Sequence, residues 1–358
     1  MKVCIVGIVG LPAQYGGFET LVDNLIDQTS NAIEEKKSYT VFCSSKTNIQ
    51  KIMTYKGAQL IYVPLHANGI QSIAYDVASM FIALFKGERN FLILGVSGCI
   101  FLPVWRLLFP SIRIITNIDG IEWRREKWGK FARFFLKLSE HLAIKYSNSI
   151  IADNLAITEY VFHEYGINAS TIAYGGDHVI RSIDYSTPDT TETFALAICR
   201  IEPENNIELI LHAYSESERV IKFVGNWDAS NFGKNLKHKY SKFKNLHIYD
   251  PIYDLDKLFM LRKNASVYIH GHSAGGTNPS LVEAMHFNNP IFAYDCLFNR
   301  YTLENNGAYF SCIADLKELI ENPNRLLTNN DTHSVAVEKY TWKVVRADYH
   351  KLFKKVFY

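Results

Sequence analysis

Short apolar, β-branched runs alternate with amphipathic stretches along almost the whole chain, and this alternation restricts the fold more than any other feature. Strands covered on both faces read as continuous apolar runs, so the pattern predicts parallel sheets with helices on either side. In the first half the runs are 2–8, 39–44, 59–65, 91–96, 113–118, 149–152 and 171–174, with helical periodicity over 18–35, 70–85 and 128–146. The pattern pauses over 180–192, where the stretch 186–192 is polar and contains Pro188. It resumes with runs at 194–199, 220–225, 246–249, 266–270 and 291–294. A chain of 358 residues, 48% hydrophobic, exceeds one ordinary domain. The expectation is therefore an α/β protein with two doubly wound domains, residues 1–185 and 186–338. A terminal helix, 339–358, places Trp342, Val345, Tyr349 and Phe353 on one face and is expected to pack back on the first domain.

Charge excludes some functions. Lys and Arg number 38 against 36 Asp and Glu, so no global field calls for a nucleic-acid partner, and an anionic ligand must be held locally. The six cysteines, Cys4, Cys43, Cys99, Cys199, Cys296 and Cys312, are far apart and lie mostly in apolar runs, which predicts buried thiols in a reducing compartment. Two apolar segments imitate membrane signals. Residues 3–11 lack the small-residue cleavage site of a signal peptide and lead into Pro12 and Gly16-Gly17, as a buried first strand would. Residues 91–110 are long enough to cross a bilayer, but Gly95, Ser97, Gly98 and Pro103 divide them into a strand and an apolar helix.

Two loops carry the small residues that let a backbone approach a ligand. The first runs from Gly7 through Gly10, Gly16 and Gly17 to Glu19; it is a weak motif that also suits a tight turn. It is not a dinucleotide fingerprint, and the second run ends Cys43-Ser-Ser-Lys46 without the acid that holds an NAD ribose, which disfavours an oxidoreductase. The second loop is the stronger signal. In His270-Gly-His272-Ser-Ala-Gly275-Gly276-Thr277-Asn278-Pro279-Ser280-Leu-Val-Glu283, a strand end passes into a helix beginning near Pro279. Donors of Gly276, Thr277, Asn278 and Ser280 suit a diphosphate, and Glu283, one turn on, suits a sugar hydroxyl; a plain capped helix is the alternative.

These residues, with Arg200-Ile-Glu-Pro-Glu-Asn-Asn206, resemble the family-4 retaining glycosyltransferases of GT-B fold, in which two Rossmann-like domains face a central cleft. The strings Pro12-Ala-Gln-Tyr-Gly16-Gly17-Phe-Glu-Thr20, Asp119-Gly-Ile-Glu122-Trp-Arg124-Arg125-Glu-Lys127-Trp128 and 270–280 resemble the bacterial polysaccharide rhamnosyltransferase branch. The resemblance implies that Glu283 is the second acid of an E-x7-E motif and contacts the nucleotide ribose. The first acidic position falls on Gly275, so donor-sugar recognition does not transfer from the family. Arg200 matches the diphosphate-binding arginine, while its usual lysine partner is replaced around Asn205-Asn206, leaving Lys234 or another nearby cation to supply the charge. The nucleobase is expected beside Tyr249-Asp-Pro-Ile252-Tyr253, whose aromatics also fit a core.

Asp119 follows the 113–118 run and, by the resemblance, takes the place where many relatives carry a histidine, with Glu122 one helical turn on; it either orients the sugar or handles the acceptor proton, or, structurally, caps a helix. Between Trp123 and Lys137 the cations Arg124, Arg125, Lys127 and Lys130 alternate with aromatics, which suits an anionic membrane surface or a solvated helix with one buried face. Asp254-Leu-Asp256 imitates a metal motif at a helix start, and His270 and His272 lack further ligands, so no catalytic metal and no other cofactor is expected. His270 and His272 are instead expected to line the donor cleft.

The implied reaction is retaining transfer of a deoxyhexose, L-rhamnose from dTDP-L-rhamnose, to a sugar on a polyprenyl diphosphate, in capsule, O-antigen or cell-wall synthesis. Its setting is the cytoplasmic face of the bacterial plasma membrane, with the protein bound peripherally. A UDP-sugar-dependent transferase of the same family and a GT-B nucleotide-sugar epimerase are the alternatives.

Overall fold

The computed structural model describes residues 1–13, 16–27, 38–47, 51–125, 128–182, 193–322 and 331–358. The polar pause at 186–192 lies outside them. The chain forms two compact units, one of Met1–Ala173 with Val345–Tyr358, the other of Tyr174–Val344. Residues 174–182 thus belong with the second unit. Gly176 donates its N–H to the Tyr340 carbonyl, and Gly175 lies so close to Trp342 that a Cβ there would be 2.6 Å from the indole.

The first unit holds strands β1 (Lys2–Val6), β2 (Ser38–Ser44), β3 (Thr54–Tyr55), β4 (Ala58–Val63), β5 (Asn90–Leu94), β6 (Arg113–Asn117), β7 (Ser149–Ala152) and β8 (Ser170–Thr171). They lie in the order β3-β4-β2-β1-β5-β6-β7-β8. All neighbours are parallel except the hairpin of β3 with β4. Helices α1 (Gly17–Leu25), α2 (Gln71–Phe85), α3 (Leu102–Leu108), α4 (Lys130–Tyr146) and α5 (Leu155–Tyr165) complete the alternation. β1 and β5 are apolar and fully buried after their first residues, as expected of strands with both faces covered.

The second unit contains β9 (Phe194–Ile198), β10 (Val220–Val224), β11 (Leu246–Tyr249), β12 (Val267–His270), β13 (Ile291–Tyr294) and β14 (Ala308–Phe310). Their order, β11-β10-β9-β12-β13-β14, is that of a doubly wound dinucleotide-type sheet, and every pair is parallel. The helices are α6 (Ile207–Ser215), α7 (Asn231–Tyr240), α8 (Leu255–Asn264), α9 (Pro279–Met285), α10 (Leu297–Leu303), α11 (Ile313–Glu321) and α12 (Thr332–Lys339). One core cluster joins β9 and β10 to α6 and α11 through Ile207, Leu211, Phe223 and Leu316.

The last helix, α13 (Trp342–Phe357), buries Trp342, Val345, Tyr349 and Phe353, the face read from the sequence. The fold is thus α/β, with two Rossmann-like parallel sheets.

The cysteine reading needs one correction. Cys4, Cys43 and Cys99 are buried and Cys199 and Cys296 partly so, but Cys312 is exposed. It stands at the N-cap of α11, where its side chain and Asp315 form a capping box, so local helix geometry sets its place.

Candidate functional site

Doubly wound sheets bind ligands at the carboxyl ends of their strands where the strand order reverses. In the second unit that point lies between β9 and β12, and the two loops leaving these strands are the two strongest sequence signals. They are laced together. Asn206 donates its side-chain amide to the Gly271 carbonyl at 2.8 Å, and Ser273 donates both N–H and hydroxyl to the Glu204 carbonyl at 2.9 Å. His272 Nδ1 lies 2.7 Å from Asn205 Oδ1. Glycine is required at 271, where a Cβ would stand 2.1 Å from the Asn205 carbonyl oxygen. Asn205 and Asn206, which replace the expected lysine, therefore tie the loops together. Arg200 opens the same loop and is exposed, with a loose 3.6 Å contact to Glu202.

From Gly276 the chain enters α9. Asn278 caps it, accepting from Ser280 N–H at 3.0 Å and from the Ser280 hydroxyl at 2.8 Å, and Pro279 occupies the first helical position. Thr277 is buried. Glu283 sits one turn in, ion-paired through Oε2 to Arg262 of α8 and 3.5 Å through Oε1 from His178 Nε2. Trp342 donates its indole N–H to His178 Nδ1 at 2.9 Å, which leaves the imidazole proton on Nε2, facing Glu283. Burial opposes charge on Glu283, but Arg262 and His178 outweigh it and hold the carboxyl below its ordinary range. The carboxylate has four lone-pair sites, so two partners leave capacity for a sugar hydroxyl.

Sequence reasoning missed Arg262, His178 and Trp342 as parts of this arrangement. Only the wide spacing of an Arg in α8 from an acid in α9 could have pointed to the first, and that spacing is not a motif.

His270 and His272 are both buried. His270 stacks on Tyr268, its Nε2 has no hydrogen-bond partner among the described residues, and burial with His272 nearby drives its pKa well below the ordinary histidine value, so it is neutral. Tyr249 is half-exposed at the end of β11, where its carbonyl accepts from the Trp227 indole, and Ile252 is partly buried in the following loop. Lys234 is exposed in the first turn of α7. Asp254 caps α8, accepting from the N–H groups of Asp256 and Lys257, which explains its placement without a metal.

In the first unit the reversal lies between β1 and β5. Gly16 and Gly17 open α1, and the anion nearest them is the chain's own: Glu19 Oε1 accepts from Val9 N–H at 2.8 Å, and a Cβ at Gly16 would be 2.0 Å from Glu19 Oε2. Burial raises the Glu19 pKa. Asp119 follows β6 with a left-handed backbone, φ 59°, its N–H bonded to Asn117 Oδ1 at 3.0 Å. Buried Asn117 in turn donates to the Tyr349 hydroxyl of α13 at 3.0 Å. Asp119 does not cap the next turn, which is Glu122–Arg124 with Ile121 at its N-cap and no side-chain cap bond. Glu122 accepts from Arg125 through Oε2 at 2.9 Å and from the Trp128 indole through Oε1 at 3.0 Å. Both its oxygens thus organise the segment around them.

That pairing involves one of the four cations expected to face a membrane. Arg125 is drawn inward by Glu122, while Arg124, stacked over Trp123 and Tyr160, and Lys130 remain exposed. Lys127 lies outside the described residues.

Residues 1–177 match the family model "Domain of unknown function (DUF1972)", and residues 181–341 match "Glycosyl transferases group 1". A search of curated proteins found no match. Among solved structures, sucrose-phosphate synthase from Thermosynechococcus elongatus is similar over 99% of both chains at 13% identity, TM-score 0.80. Anabaena HepE in complex with UDP-glucose is similar over 99% of this chain and 100% of its own, at 13% identity, TM-score 0.71. The apo lipopolysaccharide outer core galactosyltransferase WaaB has the same coverage at 13% identity, TM-score 0.65. At such identities the likeness is one of fold. The chain has the GT-B fold, and its residues 181–341 match the group 1 glycosyl transferases.

Proposed function

We propose that the protein transfers L-rhamnose from dTDP-L-rhamnose, with retention, to a sugar hydroxyl on a polyprenyl-diphosphate-linked acceptor in bacterial polysaccharide synthesis. The observation that carries the reading is the exposed Arg200 on the loop bound to Gly271–Ser273, at the reversal point of a group 1 domain. Departure of a nucleoside diphosphate develops negative charge, and Arg200 with the donors around Asn278 and Ser280 stabilises it electrostatically. Glu283 holds the ribose. Asp119, set by Asn117, orients the transferred sugar or the acceptor hydroxyl.

No group beyond the nucleotide sugar is invoked, and the site is assigned no metal. The acceptor lipid brings the enzyme to the cytoplasmic face of the plasma membrane as a peripheral protein, with Arg124 and Lys130 toward anionic headgroups.

The test is thermal shift with dTDP-, UDP- and GDP-sugars, since a ligand that binds only the folded state raises the melting temperature. A shift with dTDP-L-rhamnose supports the reading. A shift with UDP-sugars alone replaces it by a UDP-sugar transferase, a second reading favoured by the structures of HepE with UDP and UDP-glucose. Isomerisation of the sugar without any acceptor would make the protein an epimerase instead.

A further inference from the structure

The helix α2 is apolar on two sides. One side packs inward through Tyr75, Met80, Ala83 and Leu84. The other, at positions 70, 73, 74, 77, 78, 81 and 82, forms with Phe101 an open groove lined only by apolar residues. That spacing is helical, so the groove follows one continuous stripe. Phe85 extends it: its ring lies 4.5 Å from that of Phe81, which in turn lies 5.8 Å from Trp105 of α3. On α3, Val104 and Leu108 flank Trp105 on the side of Phe101 and are exposed. Ile70 is 91% exposed, Phe85 72% and Leu108 60%, values that a soluble surface avoids for several neighbouring bulky side chains.

The charges around this face are mostly positive. Across residues 70–137 there are ten Lys and Arg against five Asp and Glu, although the whole chain is nearly balanced. Between 70 and 113 the acids are Asp76, which is buried, and Glu88, which is paired with Lys2. Exposed Lys86 directly follows Phe85, and exposed Lys130 directly precedes Phe131, itself 84% exposed on α4, the helix packed against α3. Bulky apolar side chains next to cations, with no free carboxylate among them, match a surface whose headgroups are anionic and whose interior is hydrocarbon.

We propose that the α2–α3 face of the first unit is a membrane-docking surface. Ile70, Phe81, Phe85 and Leu108 enter the headgroup–acyl boundary of an anionic bilayer, and Lys86 and Lys130 contact its headgroups. The inference rests on the reading of a lipid-linked acceptor and extends the membrane-facing surface from Lys130, at the start of α4, onto the apolar α2–α3 face.

The test uses the full chain and vesicles of equal parts phosphatidylcholine and phosphatidylglycerol, by flotation. Wild type is expected to float with these vesicles and not with phosphatidylcholine alone. Ile70→Ser, Phe85→Ser and Leu108→Ser together should cut the partition at least tenfold, while nucleotide-sugar thermal shifts stay unchanged. Wild type remaining in the aqueous fraction, or the triple variant partitioning as wild type, overturns the proposal. So does a lipid-free dimer that the triple variant converts to monomer, which would assign the face to a second copy. Should the triple variant fail to fold, hydrogen exchange on wild type decides: slowed exchange in α2 and α3 with anionic vesicles supports docking, and unchanged exchange there contradicts it. Loss of every nucleotide-sugar shift with vesicle binding intact would sink the proposed reaction and leave this surface standing.

Discussion

Arg262 of α8 and Glu283 of α9 form a largely buried ion pair, so the carboxylate expected to meet the ribose is fixed by a helix outside the glycine-rich loop. Arg262→Ala leaves that carboxylate buried without its cation and should lower stability by about 3–5 kcal/mol, measured by urea unfolding at neutral pH. The folded Glu283 pKa is below its ordinary value, so the pair's contribution is present above about pH 4.5 and lost as pH falls through the folded value. The deficit of the variant should therefore shrink in acid. A deficit independent of pH would contradict an ionic role.

Arg200 is exposed and its ion pair with Glu202 is loose, so its replacement costs the fold little. Arg200→Ala should change stability by no more than about 0.5 kcal/mol. Transfer should fall by roughly 100- to 1000-fold if the guanidinium stabilises the departing diphosphate. Melting curves and initial rates on the same preparation check both; unchanged turnover removes Arg200 from the site.

Asp119 adopts a left-handed backbone that asparagine also tolerates. Asp119→Asn should keep the melting temperature while lowering transfer by about 100-fold or more, whichever of orientation or proton handling it performs. Tyr349→Phe acts one step back. It leaves the buried Asn117 amide without its acceptor at a cost of about 1–3 kcal/mol, and should lower kcat with little effect on donor KM.

Asp76 tests the interior of the first unit. Its Oδ2 accepts from the Ser97 hydroxyl and the Gly98 N–H, its Oδ1 has no partner among the described residues, and burial pushes its pKa up to about 7. The folded value is raised, so Asp76 contributes stability at low pH that is lost as pH rises toward 7. Asn in its place keeps both accepted bonds and carries no charge. Asp76→Asn should thus gain melting temperature relative to wild type between pH 5 and pH 8; a constant difference would contradict a neutral buried carboxyl.

Much of the fold was legible because both sheets are built from strands buried on both faces. The run at 149–152 coincides with β7, and those at 246–249 and 291–294 with β11 and β13. The short β3 and β14 escaped because two- and three-residue strands carry no periodic signal. The loops at 200–206 and 270–280 were legible through their small and polar residues. Their connection was not, since the bonds from Asn206 to Gly271 and from Ser273 to Glu204 join residues more than 60 positions apart. Trp342 likewise bonds His178, and His178 and Arg262 pair with Glu283, only through the tertiary fold. The inward turn of Arg125 depends on one nearby acid, a choice that composition leaves open.

The central claim is sugar transfer from a nucleotide donor to a lipid-linked acceptor. Mass spectrometry of a reaction containing dTDP-L-rhamnose and a polyprenyl-diphosphate sugar tests it most directly. The account predicts a lipid product heavier by one deoxyhexose residue, formed by wild type and lost in Arg200→Ala. No lipid-linked product with dTDP-, UDP- or GDP-sugars, under conditions where the protein is folded and binds vesicles, would contradict it.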